Sequence, residues 1–160
     1  MNLDFSNDQK LLQDEASKFL IKEEALKANR AVMETKSNYD PELWQKIVQL
    51  GWTGIRIPEE FGGLGLGHLE LCVIAEELGR QLAPVPFSSS VYLFTEALLE
   101  FASEEQKTQI LPQLVSGEVV GTFAMAETAA APTEHILVVN YADGKLSGQK
   151  IAVPDAEVAS

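Results

Sequence analysis

The sequence is poor in cysteine, in basic residues and in long apolar runs, and each shortage narrows what the protein can be. Cys72 is the single cysteine in 160 residues, so the chain cannot form an internal disulfide. Acidic residues outnumber basic residues 24 to 12, and the net charge of −12 argues against nucleic acid or an anionic membrane surface as a partner. No apolar run approaches the ~20 residues that span a bilayer, and the opening MNLDFSNDQK is polar, so we expect no membrane span and a cytoplasmic location.

Metal-ligating residue types are also scarce. His68 and His135 have no cysteine or carboxylate partners at ligand spacing, so we predict surface or packing roles for them and no metal site. Cys72 falls in an apolar segment and is interpreted as a small buried hydrophobic side chain.

Apolar side chains at helical spacing dominate the first two thirds of the chain. Ser6 and Gln9 have the spacing of a capping box, which predicts a first helix that frays near residues 27–31. Asp40 predicts the start of a second helix, and Gly51 predicts its end.

Three further helical segments follow. The same periodicity predicts helices over residues 68–80, over residues 88–101 and after Ser103, and Pro112 is expected to end or kink the last of them. The serines at 88–90 are interpreted as a helix cap, because no histidine is placed to make one of them a nucleophile.

Two features suggest binding or catalysis but have simpler explanations. The glycines of residues 62–67 lack the P-loop lysine and the dinucleotide fingerprint, so we predict a tight structural loop. Glu76 and Glu77 point about 100° apart on a helix and cannot face one substrate together, so we expect ion pairs with Arg80.

The pattern changes near residue 119. Residues 119–125 and 136–141 have the β-branched content of strands, and residues 142–144 predict a hairpin turn. So few strands do not form an independently stable sheet. The sequence therefore predicts a mainly α chain, with a helical domain over residues 1–118 and the beginning of a β domain over residues 119–160.

Five segments carry a resemblance to a known family. They are Leu43–Trp52, Ile57–Gly65, Ala75–Arg80, Leu111–Glu118 and Leu146–Lys150. In residues, order and spacing they resemble acyl-CoA dehydrogenases across nearly the whole chain. The resemblance implies an N-terminal helical domain followed by the first strands of a β-barrel-like middle domain. It also implies FAD held between the middle domain and a C-terminal helical bundle, commonly across a subunit interface, in a homo- or hetero-oligomer.

The resemblance further implies the activity of the complete enzyme, which is FAD-dependent α,β-dehydrogenation of an acyl-CoA thioester. In that family a glutamate removes the α proton while the β hydrogen leaves as hydride to the flavin. This glutamate lies beyond Ser160 in family members. We therefore assign no catalytic residue here and expect the 160-residue chain alone to be inactive.

The resemblance assigns flavin contacts to backbone groups of Phe123, Met125 and Ala126, which do not depend on the side chain. Ala126 stands where the family has threonine. Ala131–Thr133 stands in place of Gly-Ser-Asp, and Ala152–Pro154 in place of Trp-x-Thr. The loss of these hydroxyl groups indicates a divergent branch, or a subunit whose flavin is held mostly by a partner.

In the family, the helix that matches residues 88–99 lines the acyl end of the substrate cavity. The candidate pocket residues are Tyr92, Phe94, Thr95 and Leu98. Core packing is the alternative role for each of them.

Three functions stay open at this point. The chain is the N-terminal portion of an acyl-CoA dehydrogenase-like flavoprotein, a non-catalytic paralogue or subunit of a heteromeric enzyme, or a helical protein-interaction module. The net charge of −12 opposes the phosphates of CoA unless Arg56, Lys145 or Lys150 are locally clustered.

Overall fold

The computed structural model describes residues 4–35, 37–130 and 137–160, and helices form most of this part of the chain. In chain order the α-helices and the π-helix are α1 (Asn7–Lys22), α2 (Ala25–Thr35), α3 (Pro41–Gln49), α4 (His68–Arg80), a π-helix (Ser88–Thr95), α5 (Glu96–Phe101) and α6 (Glu104–Val115), and two short 3-10 helices lie at Trp52–Gly54 and Glu59–Phe61. A two-stranded antiparallel sheet follows, with β1 (Asn140–Ala142) and β2 (Lys145–Ser147). The expectations for Ala131–Thr133, His135 and Ile136 concern residues outside the described ranges.

The helix starts agree with the capping residues in the sequence. The Ser6 hydroxyl accepts the N–H of Gln9 at 3.1 Å, and the Gln9 side chain accepts the N–H of Ser6 at 2.9 Å. Ser103 and Gln106 form the same reciprocal pair at the start of α6. Asp40 accepts the first free N–H groups of α3. These bonds satisfy backbone donors that have no partner inside the helix, so the predicted starts are confirmed.

The predicted fraying near residues 27–31 is wrong, because these residues lie inside α2. The break falls earlier, at Glu24, whose φ of 51° is left-handed and interrupts the helical path. The N–H of Lys27 then bonds the Glu24 carbonyl at 2.8 Å. Ala25 is buried and holds the start of α2 against the core.

Pro112 does not end its helix. Helix α6 continues through Pro112 to Val115, and Leu111 and Leu114 on either side of the proline are buried. The apolar contacts of these two leucines hold the last turn in place although Pro112 contributes no N–H.

The interpretation of the serines at 88–90 as a helix cap is wrong. The π-helix has no side-chain cap, and Ser89 and Ser90 are buried. The Ser89 hydroxyl donates to Asp155 at 2.6 Å, and the Ser90 hydroxyl accepts the N–H of Gly121 at 3.2 Å. Both serines therefore join the helices to the later part of the chain.

Residues 119–125 do not form the predicted strand. The segment is extended, but a strand requires a ladder of hydrogen bonds, and in the described residues its backbone partners are scattered. The Ser160 N–H, for example, donates to the Val120 carbonyl at 3.1 Å. Only the last two residues of the predicted strand at 136–141 lie in β1.

The predicted hairpin turn is confirmed. Asp143 and Gly144 join β1 to β2 with φ values of 51° and 74°. Two consecutive positive φ values are characteristic of the tight hairpin turn whose twist matches the flanking strands.

The main core lies where α1, α3, α4 and the π-helix meet. Its fully buried side chains include Leu20, Trp44, Ile47, Ile74 and Val91. A smaller core joins Ile57 to Leu111 and Leu114 of α6. No helix in the described ranges is long and apolar enough to cross a bilayer.

Cys72 is exposed, so its interpretation as a buried side chain is wrong. Its neighbours Leu71, Val73 and Ile74 are all buried in α4. Successive helical residues turn by about 100°, so one position in so apolar a segment still faces away from the core.

The glycine-rich loop has a packing role. A β-carbon at Gly63 would lie 2.0 Å from the Ile57 carbonyl oxygen, so only glycine fits the backbone contact. Gly62 and Gly65 have left-handed φ values of 87° and 60°. These contacts support the predicted structural loop.

The expected ion pairs of Arg80 are present. Its guanidinium donates to Glu76 at 2.7 Å and to Glu77 at 3.2 Å. The Glu77 side chain is only 3% exposed, so this pairing offsets the burial of a carboxylate inside the α1–α4 interface.

Candidate functional site

A surface groove of about 520 Å³ lies along the π-helix and α5. Its lining residues are Arg56, His68, Tyr92, Leu93, Glu96, Ala97, Leu99, Glu100, Phe101 and Phe123. Most of these side chains are apolar, and the charged ones gather around Glu96. The groove therefore offers a hydrophobic wall with a polar border.

The four predicted pocket residues occupy different positions around this groove. Tyr92 lines it directly. Phe94 and Leu98 pack against the smaller core, and Thr95 is fully buried and donates to the Ser90 carbonyl at 2.9 Å. These three residues are not among those that line the groove.

Tyr92 presents an aromatic ring with a neutral hydroxyl. Its ring meets Phe87 edge to face, with 5.5 Å between the ring centroids. Burial raises the pKa of Tyr92 above its ordinary value of 10.0, and the nearby Cys72 thiol adds a smaller effect in the same direction. Tyr92 is therefore a hydrogen-bonding group without charge at neutral pH.

The polar border is an ion-pair cluster around Glu96. Arg56 Nε donates to Glu96 at 2.8 Å, and Arg56 Nη1 donates to the Leu66 carbonyl at 2.7 Å. His68 Nε2 lies 3.4 Å from the second Glu96 oxygen. Arg56 is thus paired with a carboxylate at the border of the groove.

The predicted flavin-contacting stretch borders the groove at Phe123. Phe123 and Met125 are 37% and 49% exposed. Within the described ranges, the amide N–H groups of residues 123–126 have no hydrogen-bond acceptor. The Ala126 carbonyl, in contrast, accepts the Ile151 N–H at 2.8 Å. The stretch thus presents unpaired backbone donors on an exposed, extended segment.

Gly121 anchors the beginning of this stretch to the π-helix. Its N–H donates to the Ser90 hydroxyl, and a β-carbon at this position would lie 1.9 Å from the Phe94 ring. The same helix that forms the groove therefore also fixes the extended stretch.

An ion pair that sequence reasoning missed lies at the other end of the stretch. The Glu127 carboxylate accepts Lys150 Nζ at 2.7 Å and the N–H groups of Val138 and Val139 at 2.6 and 3.2 Å. The Glu127 side chain is only 3% exposed. The hydrogen bond from Lys150 and then that from Val138 lower the pKa of Glu127.

Lys150 also donates to the Met125 carbonyl at 3.2 Å. Glu127 and Lys150 are 23 residues apart, beyond any helical or strand period, so no local pattern signals the contact. In the sequence, this contact is indicated only by the opposite charges of the two residues, one directly after the predicted flavin-contacting stretch and the other in the family segment Leu146–Lys150.

The backbone N–H groups of residues 123–126 fit the ring of a flavin. Unpaired amide N–H groups suit the ring, whose edge carries carbonyl oxygens and nitrogen acceptors. Ala126 and Pro154 provide no hydroxyl, and the Thr122 hydroxyl donates to the Pro154 carbonyl at 2.5 Å. Among the described residues, no three His, Cys, Asp or Glu side chains group to hold a metal ion.

Comparison with known proteins places this helical fold in a family. The model of the acyl-CoA dehydrogenase N-terminal domain matches residues 6–118. Isovaleryl-CoA dehydrogenase, mitochondrial, from Solanum tuberosum is 35% identical over 131 residues, which are 79% of this chain and 31% of the relative. The chain therefore belongs to the acyl-CoA dehydrogenase family, and the resemblance seen in its sequence is confirmed. It spans about a third of the length of this curated relative.

Solved structures show the same fold. Butyryl-CoA dehydrogenase from Megasphaera elsdenii has a TM-score of 0.80 and 27% identity, covering 99% of this chain and 44% of that chain. An acyl-CoA dehydrogenase from Bacillus anthracis, complexed with FAD, has a TM-score of 0.71 and 27% identity, covering 80% of this chain and 22% of that one. The ChsE4–ChsE5 complex from Mycobacterium tuberculosis has a TM-score of 0.73 and 28% identity, covering 82% and 36%. Homologues thus bind FAD, and homologues form hetero-complexes.

Proposed function

We propose that this chain is the N-terminal portion of an FAD-dependent acyl-CoA dehydrogenase, in which it forms one wall of the acyl pocket and one edge of the flavin site. The observation that carries the proposal is the junction at Phe123, where the apolar groove meets a backbone stretch whose N–H groups have no acceptor among the described residues. In the complete enzyme, bound FAD would supply the acceptor for the β hydrogen, which would leave the acyl-CoA as hydride.

The residues of this chain would bind and orient, and none of them acts as the base that removes the α proton. The N–H groups of Phe123, Met125 and Ala126 donate to the flavin ring in this proposal. Tyr92 and Leu93 exclude water from the acyl chain, because their side chains line the apolar groove. Phe94, Thr95 and Leu98 act indirectly by supporting that wall.

FAD binding by the purified chain tests the proposal. A visible flavin band that stays with the protein after gel filtration would support the proposal, and we expect Ala126→Thr to strengthen FAD binding because it restores a hydroxyl at the stretch. Ala129→Thr is the matched control, since it adds the same group at an exposed position three residues away. Loss of the band from both the parent chain and Ala126→Thr would contradict flavin binding.

A second candidate function is a subunit of a heteromeric acyl-CoA dehydrogenase. Two observations support it: the absence of hydroxyl groups at Ala126 and Pro154, and the hetero-complex among the homologues. A purified complex with one FAD for each pair of chains, bound mainly by the partner, would favour this candidate. One FAD for each copy of this chain would favour the first.

A further inference from the structure

The ion pair between Glu127 and Lys150 lies where the predicted flavin contacts end. Glu127 follows Ala126 directly, and its carboxylate is held by three donors, Lys150 Nζ and the N–H groups of Val138 and Val139. A carboxylate so fully bonded has little freedom to move.

Lys150 connects this fixed carboxylate to the stretch of residues 123–126. The same ammonium group that bonds Glu127 at 2.7 Å also bonds the Met125 carbonyl at 3.2 Å. The neighbouring residue Ile151 donates its N–H to the Ala126 carbonyl at 2.8 Å. Two consecutive carbonyls of the stretch are thus held by two consecutive residues of the following segment. Among the residues that the structure describes, the N–H groups of the stretch have no acceptor.

We propose that Lys150, held by Glu127, is a positioning residue that fixes the Met125 carbonyl and so keeps the amide N–H groups of residues 123–126 in place for a flavin ring. The inference rests on the proposed function for its ligand. Its structural part, the immobilised stretch, can be measured without any ligand.

The physical reason is preorganisation. A flexible extended segment loses conformational entropy when a ligand orders it, whereas a segment fixed in advance does not. The pair also compensates for Ala126, which has no side-chain hydroxyl to add a contact of its own. Backbone donors that must act alone need accurate placement.

Four proteins test the role of Lys150: the parent chain, Lys150→Met, Lys150→Arg and Lys145→Met. Lys150→Met removes the cation and keeps a long apolar stem, and Lys150→Arg restores the cation. Lys145→Met makes the same change of charge on exposed β2, and no ion pair of Lys145 is seen in the described part of the chain.

The first measurement is amide hydrogen exchange without ligand. We expect Lys150→Met to accelerate exchange about tenfold at Val138, Val139 and Ile151, whose N–H groups depend on the held geometry. Lys150→Arg and Lys145→Met should leave these rates near those of the parent chain. Amides inside α4 should not change in any variant.

The second measurement is FAD affinity at constant ionic strength. We expect Lys150→Met to weaken binding about tenfold, as expected for the loss of one charge-assisted hydrogen bond, and Lys150→Arg to restore it.

Faster exchange with unchanged FAD affinity would overturn the positioning role and leave a purely structural ion pair. No change in either quantity would overturn the inference entirely. A parent chain that binds no FAD would overturn the proposed function and, with it, the flavin role of Lys150, and the exchange data alone would then describe the pair.

Discussion

Gly63 shows how a single residue without a side chain can determine a loop. A β-carbon there would lie 2.0 Å from the Ile57 carbonyl oxygen, so the backbone must move if any other residue is present. We expect Gly63→Ala to lower the free energy of unfolding by about 3 kcal/mol. Denaturant unfolding measures this change.

Gly79 provides the matched control for that substitution. It lies inside α4, and a β-carbon there would meet nothing within 4 Å. Gly79→Ala should raise the free energy of unfolding by about 0.5–1 kcal/mol, because alanine loses less conformational entropy in a helix. Equal effects of the two substitutions would show that the contact at Gly63 is not the cause.

Glu127 should make stability depend on pH. Its pKa in the folded chain is lowered from the ordinary value of 4.5, chiefly by the hydrogen bond from Lys150. The ionised carboxylate therefore stabilises the fold above the unfolded pKa, and this stabilisation is lost as the pH falls through the lower pKa of the folded state. Thermal unfolding between about pH 6 and about pH 3 should show a steeper fall in Tm for the parent chain than for Glu127→Gln.

Glu127→Gln leaves all other carboxylates of the chain in place, so they are common to the parent chain and the variant. The pKa of Glu70, for instance, is lowered by its hydrogen bond with Gln9. The difference in Tm between the two proteins isolates Glu127, so a difference that stays constant with pH would contradict the prediction.

At the residue scale, the sequence was least informative where a partner is distant in the chain. Lys150 and Glu127 are 23 residues apart, and their contact could not be inferred from spacing. Cys72 was misplaced for a related reason. Helical periodicity identifies the apolar segment, but in a helix that is apolar on most sides it does not indicate which position faces outward.

At the scale of elements, two serines near the start of the π-helix differ in role, because Ser90 accepts a buried hydrogen bond and Ser88 is exposed. The Ser90 hydroxyl is buried and accepts the Gly121 N–H, whereas Ser88 is exposed and its hydroxyl has no hydrogen-bond partner in the described ranges. We expect Ser90→Ala to lower the free energy of unfolding by about 1–3 kcal/mol, because it leaves a buried N–H without an acceptor.

Ser88→Ala should change that free energy by less than about 0.5 kcal/mol, as is usual for exposed positions. Chemical denaturation of both variants decides between the two roles. A loss of about 1 kcal/mol for Ser88→Ala with none for Ser90→Ala would restore the interpretation of these serines as a helix cap.

Helix starts could be predicted because their causes are local. The capping box at Ser6 needs only a partner three residues away, and the same is true at Ser103. The outcome at Pro112 depends on tertiary contacts, because buried leucines on both sides keep α6 helical. Residues 119–125 have strand composition, but a strand also needs neighbouring strands, and composition alone does not provide them.

At the scale of the whole molecule, the family and the mainly helical fold could be recognised from five short segments, whereas the groove could not. The groove combines Arg56, His68, Tyr92 and Phe123, which are scattered over 68 positions. Only the packing of α5 and the π-helix brings them together. The extended stretch adds Phe123 to the same surface.

Two features of the surface have opposite effects on self-association of the chain: exposed apolar side chains favour it and the net negative charge opposes it. Phe101 is 82% exposed, and together with Leu93 and Phe123 it forms an apolar surface around the groove. Such patches commonly mark interaction sites. The net charge of −12 opposes contact between two copies, and salt screens this repulsion over about 10 Å at 0.1 M.

We therefore expect the chain to associate with itself more strongly as the salt concentration rises, and to bind a dye that reports apolar surface. Phe101→Asp should keep the chain monomeric in sedimentation experiments and reduce dye binding, because it places a charge in the apolar surface. Met33→Asp is the matched control, since Met33 is 75% exposed on α2 and does not line the groove. Equal effects of the two substitutions would indicate that added charge alone prevents association, whereas an effect of Phe101→Asp alone would locate the contact at the groove.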